Sequence, residues 1–367
     1  MTDPRVENLA KILVGYSTDV QPGDWVLVHG HVLALPLVEE VVRQVIHRGG
    51  NPNVHLETEE LTLAELEDAN EEQLRWISPL DQVINEKVDV TISLRAASNT
   101  RALSNLPPEK EAIRRQARRP LFINTMKRSA EGKLRWTLTQ YPCQAYAQDA
   151  DMSLREYEDF VYGATFSDQP NPIEKWQQIH EMQQRLIERL KGKNQVVIRS
   201  PNCDLALSIS GRNFINSDGK RNMPSGEIYT SPVEDSVNGV VRFTYPAINS
   251  GREVEGVELT FQEGKVVNAS ASKNEDFLLA MLDTDPGARY LGEFAIGTNY
   301  GIQRFTRSIL FDEKIGGSFH MAVGAGFPEA GSKNESSIHW DFICDIRKDS
   351  EILVDGDVFY KDGQFQV

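Results

Sequence analysis

Two histidines near the C-terminus lie in stretches whose alternation is typical of β-strands. His339 and Asp341 are two residues apart, and the residues between and after them are apolar. Successive strand side chains point to opposite faces, so one face would be packed while His339 and Asp341 project from the other. His320 alternates with apolar neighbours in the same way. Imidazole nitrogens and carboxylate oxygens on rigid backbone bind divalent metals, so these strands predict a metalloenzyme.

Two acids upstream have settings that could bring them to the same place. Glu227 follows a Pro/Gly turn in the segment RNMPSGEIYTSP, and a turn can carry a carboxylate to the mouth of a sheet. Glu293 lies in ARYLGEFAIGTN, on the face opposite Phe294 and Ile296. Taken alone, each is one of 54 Asp and Glu residues, and an ordinary surface acid is the commoner role.

Four motifs in a fixed order make the pattern specific. They are N-x-P-x-x-E at 222–227, L-G-E at 291–293, F-D-E followed by H-x-A-x-G at 311–324, and H-x-D at 339–341. In this order they resemble the M29 family of thermophilic-type metalloaminopeptidases. The opening LAKILVGYSTDVQPGDWVLVHG is also similar to that family, so the resemblance covers nearly the whole chain.

The resemblance implies two divalent metal ions (Zn, Co, Mn or Mg) in the C-terminal domain. It implies a ligand set with Glu293 as the bridge between the ions and Glu227 as a possible acceptor of the water's proton. The implied ligands are Glu227, Glu293, His320, His339 and Asp341. The implied activity is a di-metal aminopeptidase that uses metal-activated water to release N-terminal amino acids from short peptides with a free N-terminus. The family also implies a homodimer.

Two positions depart from the family pattern. The family has a tyrosine seven residues after the first histidine, where its hydroxyl would stabilise the oxyanion, and this chain has Phe327. Tyr229 and Tyr300 are the nearest alternative donors in sequence. Glu313 lies seven residues before His320 instead of about five, so it is predicted either as a further metal ligand or as an ordinary turn acid.

Two other functions agree with the same residues. One is a non-catalytic or weakly active metal-binding homologue that kept the ligands and lost the hydroxyl donor. The other is a di-metal hydrolase of other amides or esters. Turnover of aminoacyl substrates with and without added metal would separate them.

The elements that must position these residues are predicted as follows. The first half alternates strands with helix-length segments, which predicts an α/β domain with a mainly parallel sheet. Residues 35–48 carry a helical apolar stripe that ends at two glycines. The predicted strands are 25–30, 51–56, 88–94 and 120–125.

The second half has a different pattern. A linker at 167–172 precedes a helix that extends to about residue 190, and short alternating strands with turns follow. The predicted domains are therefore an α/β domain at 1–190 and a β-rich α+β metal-binding domain at 191–367.

Composition limits the partners. The 367 residues contain 39 Lys and Arg against 54 Asp and Glu, a formal net charge of −15, which disfavours nucleic acid. No apolar run approaches the roughly 20 residues that span a bilayer, so no membrane contact is expected. The N-terminus lacks the apolar core of a signal peptide, and three widely spaced cysteines suggest thiols. These features predict a cytoplasmic protein.

Overall fold

The computed structural model describes residues 3–249 and 251–366, in which helices and strands alternate first and strands dominate later. The α-helices are α1 Pro4–Ile12, α2 Leu35–His47, α3 Glu59–Asp68, α4 Glu71–Arg75, α5 Pro79–Lys87, α6 Pro108–Ala130, α7 Gln144–Asp149, α8 Leu154–Ala164, α9 Pro172–Leu190, α10 Glu275–Leu282 and α11 Ile309–Asp312. The strands are β1 Trp25–His31, β2 Asn51–Glu57, β3 Val90–Arg95, β4 Arg135–Gln140, β5 Gln195–Ser200, β6 Cys203–Ser208, β7 Ile215–Ser217, β8 Asn222–Met223, β9 Glu227–Thr230, β10 Asn238–Arg242, β11 Ala247–Asn249, β12 Arg252–Val254, β13 Glu258–Gln262, β14 Lys265–Ser270, β15 Leu291–Gly297, β16 Ser318–Gly324, β17 His339–Asp345, β18 Glu351–Val354, β19 Asp357–Lys361 and β20 Gln364–Phe365.

The chain forms two compact units. The first contains residues 1–175 and 219–224, and the second contains residues 176–218 and 225–367. Most of α9 therefore belongs to the second unit, and the short strand β8 belongs to the first. The domain boundary predicted near residue 190 would separate two parts of the chain that fold independently. It stays a prediction.

The first unit is built around a parallel sheet with the order β2-β1-β3-β4-β8. β1 pairs in parallel with both β2 and β3, and the buried residues Val26 and Val28 give it the apolar character of a central strand. Helix α2 connects β1 to β2, and Gly49 at φ 82° ends it as the two glycines predict. The predicted α/β class with a parallel sheet is confirmed.

One predicted strand is wrong. Residues 120–125 lie inside α6, and the next strand of the sheet is β4 at Arg135–Gln140. Phe122 and Ile123 have high strand propensity, but they are solvent-exposed on a helix that continues through Pro120. Apolar alternation does not predict β4, because its buried side chains include the polar residues Thr137 and Thr139. Thr137 Oγ1 donates a hydrogen bond to the Arg221 carbonyl.

The second unit is rich in strands, as predicted. Its larger sheet has the order β14-β13-β10-β6-β5-β18-β19-β20, and its smaller antiparallel sheet has the order β17-β16-β15-β9-β7. One hydrophobic cluster contains residues from both sheets, including Leu205 and Val241 of the larger and Phe294, Phe319 and Phe342 of the smaller. The core fixes one face of the smaller sheet, so the polar residues of its middle strands must lie on the other face.

Two simpler features complete the fold. Cys143, Cys203 and Cys344 are buried thiols without a disulfide, as their spacing predicts. None of the described helices combines the length and the apolar composition that crossing a lipid bilayer requires.

Candidate metal centre

The smaller sheet of the second unit brings the predicted ligands onto neighbouring strands. Glu227 begins β9, Glu293 lies on β15, His320 on β16, and His339 and Asp341 on β17. The strand order β17-β16-β15-β9 makes these strands consecutive neighbours. Residues far apart in the chain therefore meet on one face of a rigid antiparallel sheet, opposite the core.

A glycine precedes each of the two central glutamates for a physical reason. Gly226 has φ 114°, and a Cβ there would lie 2.6 Å from the Cβ of Asn299. A Cβ on Gly292 would lie 2.1 Å from the carbonyl oxygen of Ala325. β15 also shifts its register next to Gly292, as a bulge does where a strand redirects a side chain. These glycines allow the close backbone contacts that bring both carboxylates to the cluster.

Glu293 lies between the two histidines. Its Oε1 is 3.5 Å from His320 Nε2, and its Oε2 is 3.1 Å from His339 Nε2. Each carboxylate oxygen therefore faces a different imidazole. Glu293 and the two histidines could therefore hold divalent metal between them.

The candidate ligands form two groups. The first is Glu293, His339 and Asp341, and the second is Glu313, His320 and Asp341; within each group the ligand atoms lie within 4.8 Å of one another. Asp341 belongs to both groups. Glu313, whose spacing left its role open, is brought into the second group. All six predicted residues thus meet on this face, because Glu227 Oε2 is 3.7 Å from His320 Nε2.

The donor atoms suit divalent metals. Glu227 Oε2 and Asp341 Oδ1 are buried and make no hydrogen bond with the described residues. Each lies near a histidine Nε2, Glu227 Oε2 at 3.7 Å from His320 and Asp341 Oδ1 at 3.5 Å from His339, and a bound metal would give each a closer positive partner. Nδ1 of His320 and His339 lies 2.9 Å and 2.8 Å from the backbone carbonyls of Glu313 and Ala325, respectively. With Nδ1 as the donor, Nε2 is left as the ligand atom on the side of the carboxylates.

Burial and the neighbouring charges shift the pKa values of the cluster residues in opposite directions. Burial would lower the pKa of His320, but the Glu293 carboxylate raises it to about 10. Burial would also lower the pKa of His339, but Asp341 and Glu293 raise it to about 11. Burial would raise the pKa of Glu293, but hydrogen bonds from both imidazoles hold it at about 2. Without metal, both imidazoles therefore carry a positive charge.

Glu227 has a different protonation behaviour. Burial raises its pKa to about 7, and the nearby Lys314 ammonium only partly opposes this effect. A carboxylate that exchanges a proton near neutral pH is suited to general acid–base catalysis. Glu227 is thus an acid of the cluster whose protonation changes in the working range of most enzymes, and burial also raises the pKa of Glu313.

We expect metal affinity to rise steeply with pH. His320 and His339 are protonated at pH 7 because their pKa values lie well above it, and each must lose a proton to bind metal. Protons compete less well as pH rises, so apparent Zn²⁺ affinity should increase up to about tenfold per pH unit for each displaced proton. Competition titration with a chromogenic chelator at pH 6, 7 and 8 measures this. Affinity independent of pH would contradict imidazole ligation.

Two supporting residues were missed in the sequence. Lys314 is fully buried, and its Nζ donates to Glu313 and lies 3.9 Å from Glu227 Oε1. Gln183, on α9, donates through Nε2 to the Glu227 carbonyl at 2.9 Å and accepts from Thr298 Oγ1 at 2.9 Å. The sequence signal for a buried Lys314 is its place among the apolar and small residues of KIGGSF. Gln183 has no such signal, because a single glutamine in a helical segment does not indicate a function.

The three aromatic positions have different settings. The Phe327 ring centroid is 5.2 Å from that of His339 and 5.1 Å from that of Tyr229. Phe327 and Tyr229 therefore lie beside the cluster. The Tyr300 hydroxyl instead donates to the Gly363 carbonyl at 2.9 Å, so it is already committed to another partner.

Comparisons with known proteins agree across the chain. The model of the thermophilic metalloprotease family M29 matches residues 2–365. Aminopeptidase 2 of Geobacillus stearothermophilus is 27% identical, and the match covers 99% of this chain and 95% of that protein. Aminopeptidase T of Thermus thermophilus is 28% identical across 73% of this chain and 72% of its own. The solved structure of wild-type AmpT from Thermus thermophilus has the same fold, with a TM-score of 0.85 over 99% of both chains at 23% identity.

Proposed function

Because the chain belongs to the thermophilic metalloprotease family M29, we propose that it is an aminopeptidase that uses two divalent metal ions. Membership confirms the resemblance that the ordered motifs indicated, and it makes divalent metal part of the chemistry. The observation that carries the proposal is the Glu293 carboxylate, whose two oxygens face His320 and His339 separately. The names of the relatives support aminopeptidase activity.

The ions would be held by carboxylate and imidazole donors, a set that accepts Zn²⁺, Co²⁺, Mn²⁺ or Mg²⁺. The ligands would be Glu227, Glu293, Glu313, His320, His339 and Asp341. Two divalent ions bound there would polarise the scissile carbonyl and activate water for its attack. The buried carboxylate oxygens that have no hydrogen-bond partner in the described part of the chain support this assignment.

The exposure of the cluster indicates where a peptide would approach. The side chain of His339 is 31% exposed, whereas that of His320 is 1% exposed. Substrate would therefore meet the cluster from the side of His339 and Phe327. Glu227, on the His320 side of the cluster, would take up the proton that water loses and return it to the leaving amine.

A free substrate amine should be required. The free α-amine of a peptide would bind a metal ion or a nearby carboxylate, and an acetamide leaves that partner unpaired. We expect N-acetylation of an aminoacyl p-nitroanilide to lower kcat/KM by at least about 10⁴-fold. As a control, amidation of a peptide's C-terminus should have little effect. Equal cleavage of acetylated and free substrates would place the enzyme in another class of hydrolase.

Phe327 lies where the family places its tyrosine, and it contacts the His339 ring. We expect Phe327→Tyr to raise kcat, because a hydroxyl beside the cluster can donate to the oxyanion. The gain is at most about 10²–10³-fold, the worth of one such donor. Phe305→Tyr is the matched control, because Phe305 stacks on Tyr245 and not on the cluster. If kcat stays constant, oxyanion stabilisation comes from the metal ions or from another donor.

The findings do not favour the two alternative functions, a metal-binding homologue without activity and a hydrolase of other amides or esters. A homodimer with an enclosed site that selects short peptides is part of the proposal, as is the absence of nucleic-acid and membrane partners. We also propose a cytoplasmic location, which the three buried thiols support.

A further inference from the structure

Lys314 is a buried cation inside a cluster of metal-ligand candidates. It follows α11 by two residues, and its side chain has no exposed surface. Its Nζ donates to Glu313, and Glu227 Oε1 lies 3.9 Å away. Two carboxylates this close favour the charged form of the lysine. The side chain is therefore an ammonium.

A charged lysine is energetically unfavourable in a protein interior, so the buried position of Lys314 needs an explanation. Removing a charge from water costs several kcal/mol, and an apolar side chain of similar volume often packs as well or better. The ion-pair partners of Lys314 are both candidate metal ligands. It does not reach the exposed side of the cluster, so contact with substrate does not account for it. What remains is an electrostatic effect on the cluster itself.

The position of Lys314 makes the two ligand groups unequal. Its ammonium contacts Glu313, which belongs only to the group with His320 and Asp341. Its other partner, Glu227, also lies on the His320 side. The group of Glu293, His339 and Asp341 has no ion pair to this lysine. The positive charge therefore contacts Glu313 and Glu227 directly, whereas in the other group it acts only through the charge of the shared Asp341.

We propose that Lys314 acts as a built-in cation that weakens binding of the second metal ion, so that the centre binds one ion tightly and one loosely. This inference rests on the proposed two-metal function. The tight ion would take the position of Glu293, His339 and Asp341. The loose ion would take the position of Glu313, His320 and Asp341, where it must share carboxylate charge with the ammonium. Lys314 is then a positioning residue that sets metal occupancy.

The test is a Mn²⁺ titration of metal-free protein by calorimetry, with the bound metal counted by elemental analysis after dialysis. The wild-type protein should show two binding steps separated by at least about tenfold in affinity. Lys314→Met, which keeps length and removes charge, should tighten the second step by at least about tenfold. Lys314→Arg should keep the steps apart. Lys265→Met, an exposed change on β14, controls for the altered net charge and should match wild type.

Anomalous diffraction from wild-type crystals at limiting Mn²⁺ gives a second readout that needs no variant. The ion should lie with Glu293, His339 and Asp341. Equal affinities in wild type, first occupancy at Glu313, or a second step that Lys314→Met leaves unchanged would overturn the proposal while the two-metal function stands. Absence of any bound Mn²⁺ would instead overturn the proposed function.

Discussion

Replacing Glu293 by Gln should abolish turnover, with a loss in kcat of at least about 10³-fold. The carboxylate oxygens lie 3.5 Å and 3.1 Å from the Nε2 atoms of His320 and His339, so each oxygen serves a different ligand group. An amide keeps the shape but offers one acceptor oxygen and no negative charge, so it cannot bridge two cations. Metal ions supply several kcal/mol of transition-state stabilisation, and about 4 kcal/mol corresponds to 10³ in rate.

The same variant should lose metal. Mutation of a residue that hydrogen-bonds to a metal ligand typically lowers metal affinity about 10–100-fold. Loss of a bridging ligand should lower the affinity by at least about as much. Glu258→Gln is the matched control, since it makes the same change on β13 of the larger sheet, where Glu258 pairs with Arg242 at 2.7 Å. Kinetics and elemental analysis of both variants decide the point. Wild-type activity and metal content in Glu293→Gln would make Glu293 an ordinary strand acid.

The second large effect is expected for Glu227→Gln. Burial raises the pKa of Glu227 to about 7, so the wild-type side chain can accept a proton near neutral pH. The base form acts, and bound metal cations would favour that form, so activity of the metal-loaded wild type should rise with pH over a range below 7. The amide cannot accept the proton, and the variant should lose about 10²–10⁴ in kcat together with that pH dependence.

Metal content separates the two roles that geometry allows for Glu227. If it is mainly the proton acceptor, Glu227→Gln keeps its metal and loses kcat. If it is mainly a ligand, the variant loses metal, and added Mn²⁺ restores part of the rate. A variant with unchanged kcat at saturating metal and an unchanged pH profile would remove Glu227 from both roles.

The sequence predicted the fold where pattern and packing agree. The apolar alternation around His339 and Asp341 marks a core face, and Trp340, Phe342 and Cys344 do belong to the core of the second unit. The apolar patterns of α2 and β1 agree with their packing in the same way. Residues 120–125 were mispredicted because strand propensity there is overridden by a long helix, whose exposed Phe122 shows that no core face was involved.

The candidate site was predicted in composition but not in geometry. The order of four motifs identified Glu227, Glu293, His320, His339 and Asp341, yet nothing in their spacing shows that Glu293 faces both imidazoles. That relation depends on the order of strands β17-β16-β15-β9, which is a long-range property of the sheet. Lys314 and Gln183 were missed for the same reason, because their partners are brought close only by the fold.

The feature on which the proposed function depends is a pair of metal ions on this sheet face with Glu293 between them. Anomalous diffraction from crystals equilibrated with saturating Mn²⁺ tests it most directly. We expect two peaks about 3.5–4 Å apart, one with His320 and one with His339, with the Glu293 carboxylate contacting both. No peak at this face, a single peak at saturating Mn²⁺, or two peaks that Glu293 does not join would contradict the proposed function.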